Sequence, residues 1–220
     1  DRDVTGVQTC ALPISGRKNS REETMIPSIR ESYRFMDKYH MLAHIKAHSV
    51  VVARVARMIA RGLREVNPDI SVSKTTAGAL LHDIGKTPSL DSGRDHAEIG
   101  REICIENSLD EIAPIVAEHI RLKKYRVNGA DSEKEVVFYA DKRVNHDRIV
   151  TLKEREDYIL KRYGRDQEEL CRKIKLNFRL CGQVEEKLFS KLKFSPESLM
   201  KMDGAEAERF ERDLVIPGAH

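Results

Sequence analysis

From Pro27 onward, apolar residues recur at steps of three and four, the period of amphipathic helices. Between Met41 and Val66, residues Ile45, Val52, Val55, Ala56 and Ile59 share one stripe, which predicts a long helix ending before Asn67-Pro68. Ser73 is a candidate cap for a second helix running through Ala77, Leu80 and Leu81 to Ile84, with Gly85 as its left-handed terminator. Asp91-Ser92-Gly93 predicts a turn, and Asp95 followed by Glu98 predicts the start of a helix carrying His96, Ile99, Ile103 and Ile105. A further helix is expected over Leu109–Ile120, and Asn128-Gly129 marks a turn in the basic stretch RLKKYRVNGAD. Ser132 and Glu135 form a capping box before Val136–Asp141; that apolar run alone suits a strand, but the cap and the lack of a partner strand favour helix.

Beyond Val150 the composition shifts toward Glu, Lys and Arg. Leu170, Ile174, Phe178, Cys181, Leu188 and Leu192 make one apolar stripe on a long helix. Ser195-Pro196-Glu197 opens another short helix, with proline in its first turn. The expected fold class is therefore all-α: a helical domain over residues 25–150 and a helical C-terminal extension over 151–220. The stripe is most simply a face packed on the main domain; a homodimer contact and a substrate lid are the alternatives.

Composition narrows the class. The chain has 220 residues, 40% hydrophobic and 34% charged, with no Trp, which suits a solvated helical protein with a core of ordinary size. Its net charge of +3 comes from 39 basic and 36 acidic residues, so no specific nucleic-acid partner is expected. The four cysteines (Cys10, Cys104, Cys171 and Cys181) are scattered without a CxxC pair. That argues against a disulfide framework or zinc knuckle and for a reduced, cytoplasmic setting. No stretch approaches the ~20 apolar residues that span a bilayer, so no membrane role is expected. Residues 1–24 fit no targeting pattern. Their segment VTGVQTCALPIS resembles translated sequencing-adapter read-through, so they are set aside as disordered or artefactual, with the start expected near Met25.

The chemistry concentrates in Leu80-Leu81-His82-Asp83-Ile84-Gly85-Lys86. An imidazole and a carboxylate at adjacent positions can both reach one cation where a helix gives way to a turn. His48 lies upstream; His96, His119 and Asp141 lie downstream, each on a segment that reads as helix. Nitrogen and oxygen donors without thiolate suit iron, manganese, cobalt or zinc. A lone helical histidine is more often an ordinary surface or core residue, and the weight rests on the set. His44 and His48, one turn apart, are an alternative zinc pair. His40, His146 and His220 read as surface histidines.

The ordered series His48, His82-Asp83, Asp141 resembles the H…HD…D signature of the HD-domain metal-dependent phosphohydrolases, an all-α superfamily. HSVVVARVA is similar to its first-histidine helix, LLHDIGK to the HDIG form of its second motif, and FYADKRV to its last-aspartate helix. The likeness covers about residues 40–147 and none of the extension. DHAEIGREI and IVAEH resemble further ligand segments of branches with a second metal, among them the small dinucleoside tetraphosphate hydrolases; the GYP element of the HD-GYP phosphodiesterases is absent from the sequence. The resemblance implies that His48, His82, Asp83 and Asp141 hold one divalent ion, and that Asp83 bridges to a second held by His96 and His119.

It further implies hydrolysis of a phosphate ester or anhydride, of a nucleotide in the first instance, through attack by metal-activated hydroxide. Gly100, one turn after His96, fits a place where a side chain would crowd the site. Lys86 is placed to neutralise phosphoryl charge or to cap its own helix end. Arg121, Lys123, Lys124 and Arg126 could grip distal phosphates or form a solvated loop; Lys142 and Arg143 carry the same ambiguity, with Arg143 a candidate stabiliser of phosphoryl charge. Two rival functions stand beside this one: a di-iron oxygenase on the same scaffold, and a non-catalytic nucleotide-binding regulatory module.

Overall fold

A computed structural model describes residues 25–165, 167–201, 210 and 212. The adapter-like segment, Cys10 and His220 lie outside the described residues. The elements in chain order are α1 (Ile29–Lys38), α2 (Ala43–Arg64), α3 (Val72–Leu81), α4 (Lys86–Ser92), α5 (His96–Glu106), α6 (Ala113–Glu118) and α7 (Glu133–Lys142). A two-stranded hairpin of β1 (Val144–Asn145) and β2 (Arg148–Ile149) follows, then α8 (Leu152–Tyr163), α9 (Glu168–Phe189) and a 3-10 helix over Pro196–Lys201. The fold class is all-α, as the periodicity predicts.

The core forms around α2, whose Ile45, Val52, Val55, Ala56 and Ile59 are all buried. Helices α3 and α7 pack on that face, α1 and α6 pack on α3, and α9 packs on α7. Capping is regular. Ser132 and Glu135 form the reciprocal box that starts α7, and Ser28–Glu31 and Thr151–Glu154 do the same for α1 and α8. Asp95 caps α5 by accepting from the Ala97 amide.

Several local expectations are corrected. The cap of α3 is Ser71, not Ser73: its side chain accepts from the Lys74 amide, and the helix starts two residues early. Gly85 is right-handed (φ −78°), and the left-handed residue is Gly93 (φ 66°), which closes α4 over a stretch expected to be a turn. Gly85 is needed for space instead. A Cβ there would stand 2.1 Å from the His96 carbonyl oxygen and 2.5 Å from the Gly100 amide nitrogen. At Gly100 a Cβ would meet Val116 Cγ1 at 2.7 Å, so its small size serves the packing of α5 on α6. The expected helix over Leu109–Ile120 is confined to Ala113–Glu118, after turns and with Pro114 in its first turn. The β1–β2 hairpin is too short to leave a period in the sequence.

Candidate metal centre

Five helices deliver the donors. His48 comes from the second turn of α2, His82 and Asp83 from the turn that ends α3, His96 from the start of α5, and His119 from the C-terminal cap of α6. Asp141 comes from the last turn of α7. His48, His82, Asp83 and His119 are buried, while Asp141 and His96 are partly open to a cavity.

Asp83 is the centre of the cluster. One face gathers His48, His82 and Asp83, and the other gathers Asp83, His96 and His119; in each group the donor atoms lie within 4.8 Å of one another. Asp83 Oδ2 is 3.3 Å from His82 Nε2 and 4.0 Å from His48 Nε2. Its Oδ1 is 3.4 Å from both His96 Nε2 and His119 Nε2. Asp141 Oδ1 closes the first face at 3.0 Å from His48 Nε2 and 3.6 Å from His82 Nε2. The two carboxylate oxygens of one residue thus address two imidazole sets.

The imidazoles are oriented from behind. His48 Nδ1–H donates to the His146 carbonyl (2.8 Å), His82 Nδ1–H to the Ala79 carbonyl (2.7 Å) and His119 Nδ1–H to the Val116 carbonyl (2.6 Å). Each bond leaves an Nε2 lone pair directed at the cluster, the tautomer that metal ligation requires. Two inward atoms, His82 Nε2 and Asp83 Oδ1, are buried without a hydrogen-bond partner despite these short distances. Such atoms are costly unless something polar occupies the space between them.

Electrostatics point the same way. Burial opposes charge on His82, yet Asp83 and Asp141 outweigh it and push the imidazole up to about 9. Burial pushes His119 down to about 4. Burial would raise both acids, but the His82 charge and imidazole hydrogen bonds hold Asp83, and Lys142 with His48 and His82 hold Asp141, well below the usual carboxylate range. Ionised acids and inward imidazole nitrogens demand positive charge at the centre, and the donor set fits one or two divalent cations.

The cluster opens into a cavity of about 820 Å³. Lys86 and Lys142 line it. Lys86 Nζ donates to Asp83 Oδ2 at 2.7 Å, which makes it a partner of the centre rather than a cap of its own helix. Lys142 Nζ donates to Asp141 Oδ2 at 3.1 Å and to the His119 carbonyl. His44 and His146 are exposed at the rim.

Other expected substrate contacts are not brought to the site. The Arg143 guanidinium is buried and bonded to Tyr139 Oη, Glu185 Oε2 and the Val150 and Pro196 carbonyls, so it ties α7 to α9 and does not face phosphate. Arg121, Lys123 and Lys124 are exposed and do not line the cavity. Glu118 turns their loop outward, accepting from the Lys123 amide at 2.9 Å while paired with Lys134. What residue spacing missed is the part of the cavity wall built by α8 and α9. The lining positions of α8 (Arg155, Tyr158, Ile159, Arg162 and Tyr163) fall at helical steps on one face, a signal present in the sequence.

A helical bundle that closes on a His-Asp cluster of this kind defines a class. Residues 45–146 match the family model described as HD domain, and this part of the chain is an HD domain. Among curated proteins it is similar to ribonuclease Y of Treponema pallidum (strain Nichols), 50% identical over 56 residues, which is 26% of this chain and 10% of that one. Ribonuclease Y of Treponema denticola is 45% identical over 60 residues, 27% of this chain and 11% of that protein. The tRNA (cytidine(56)-2'-O)-methyltransferase of Thermoplasma volcanium is 32% identical over 89 residues, 40% of this chain and 23% of that protein. The chain thus spans about a tenth of the length of the ribonuclease Y relatives. No solved structure matches it. No helix among the described residues is long and apolar enough to cross a membrane.

Proposed function

We propose that the protein is a phosphohydrolase that cleaves a phosphate ester or anhydride of a nucleotide at a two-cation centre. The observation that carries this reading is Asp83, whose two oxygens face separate imidazole sets with two inward atoms left unpartnered. His48, His82, Asp83 and Asp141 would hold one cation, and Asp83, His96 and His119 the other. Divalent ions there supply Lewis acidity and lower the pKa of water, the requirements of an in-line displacement at phosphorus.

The chain's own residues do the rest. The carbonyl-anchored imidazoles keep the donors in place without reorganisation. Lys86 and Lys142, each already beside a carboxylate on the cavity wall, are placed to donate to phosphoryl oxygens as negative charge develops. Ile45, Ile120 and Phe178 give part of the cavity an apolar lining. The likeness to ribonuclease Y adds RNA phosphodiesters as a second substrate class to be tried.

The test is elemental analysis of purified protein, followed by a nucleotide, phosphoester and short-RNA panel with the metal found. Asp83→Ala should lose both cations and reduce hydrolysis to the protein-free rate. Unchanged turnover in that variant rejects the mechanism. Oxygen uptake by iron-loaded protein would instead favour the oxygenase, and tight nucleotide binding without turnover the regulatory module.

A further inference from the structure

Outside the HD match, α8 presents Arg155 and Arg162 to the same cavity as the metal centre. The cavity's charge is uneven. Its lining carries Lys86, Lys142, Arg155 and Arg162 against the carboxylates of Asp83 and Asp141. Each lysine is bonded to one of those acids, at 2.7 and 3.1 Å, which leaves both arginines unneutralised.

Their recorded partners are neutral. Arg155 Nη1 donates to Asn145 Oδ1 at 2.7 Å, and its Nε is buried with no hydrogen-bond partner. Arg162 donates to the hydroxyls of Tyr163 (3.1 Å) and Tyr158 (3.4 Å). Among the described residues, neither arginine has a carboxylate within ion-pair distance. Two guanidiniums on one helix face with no carboxylate beside them leave a local excess of positive charge on the cavity wall, which an anion would neutralise. Guanidinium forks match the oxygens of a phosphate bidentately.

We propose that Arg155 and Arg162 bind a second phosphate of the substrate, so that the protein selects nucleotides carrying a phosphate beyond the one cleaved at the metal centre. This rests on the phosphohydrolase reading and specifies its substrate class. The volume of about 820 Å³ accommodates a nucleotide, within the roughly 300–1,000 Å³ of small-molecule sites. The loop carrying Arg121, Lys123 and Lys124 does not line the cavity, so the cations beyond the two lysines bonded to the cluster come from α8.

The test is calorimetric binding to metal-loaded protein of two non-hydrolysable probes, the phosphonate analogues of adenosine 5′-monophosphate and 5′-diphosphate. Wild type should prefer the diphosphate analogue by about tenfold or more, the worth of a charge-assisted pair. Arg155→Ala and Arg162→Ala should each remove most of that preference while leaving affinity for the monophosphate analogue unchanged. If Arg155→Ala fails to fold through loss of its bond to Asn145, the exposed Arg162 carries the test alone. An unaltered preference in Arg162→Ala at normal melting temperature overturns the proposal. Hydrolysis with no effect of α8 on the preference defeats this inference only. An arginine-dependent preference without hydrolysis of any substrate defeats the phosphohydrolase reading and leaves the second-phosphate site standing.

Discussion

Replacing Gly85 with alanine probes how closely the turn carrying Asp83 is pressed against the helix carrying His96. The added Cβ would lie 2.1 Å from the His96 carbonyl oxygen and 2.5 Å from the Gly100 nitrogen, against 3.4 Å for ordinary contact. Both obstacles are backbone atoms, which cannot rotate away. Helix α5 must therefore shift by about an ångström relative to Asp83, whereas metal–donor distances tolerate only about 0.2 Å. Overpacking of this kind costs about 1–3 kcal/mol, and backbone obstacles place it at the upper end. At roughly 2–4 °C per kcal/mol for a chain of this size, the melting midpoint should fall by about 5–10 °C. Calorimetry gives the midpoint and elemental analysis the stoichiometry. We expect the cation of the Asp83, His96 and His119 face to be lost and that of the His48, His82 and Asp141 face to be retained. Wild-type melting together with wild-type stoichiometry would refute the account of Gly85 as a spacing residue.

Three further outcomes are expected. Lys187→Ala should destabilise the protein by about 3–5 kcal/mol in denaturant titration, because Glu135, bonded to Lys187 Nζ at 2.8 and 3.0 Å, is left buried without its charge partner. Burial pushes the Cys104 thiol up to about 12 and the Cys181 thiol higher still, so at pH 8 both are almost wholly protonated; iodoacetamide mapped by mass spectrometry should label half-buried Cys171 well before either, with the gap closing only on unfolding. Gly182→Ala, in the middle of α9 where a Cβ meets open space, should raise stability by about 1 kcal/mol in the same titration.

Several of the clustered side chains are legible in the chain because they sit where a helix begins or ends, and some of those ends are marked locally. The Ser132–Glu135 box starts the helix that delivers Asp141, and Asp95 starts the helix that begins at His96. The apolar run Val136–Ala140 resolves as helix for the same reason: its cap outweighs its strand-like composition. Roles decided by partners far along the chain are not legible. Arg143 next to Asp141 looks like a phosphate ligand until Glu185 and Pro196 arrive from the C-terminal segment and consume its donors. Gly85 looks like a helix terminator, because nothing nearby in sequence reveals that α5 will press upon it. The α8 wall lies outside the motif that draws the eye.

The bond that steers His48 comes from a main-chain oxygen, that of His146, at the tip of the hairpin and in the left-handed region at φ 56°. Any residue at that position offers the same oxygen. The imidazole's aim is consequently indifferent to which side chain stands at 146 and sensitive to how the peptide there is turned. Glycine or asparagine should hold that angle with less strain than histidine, whereas a β-branched residue would pull the ring off target while leaving every donor in place.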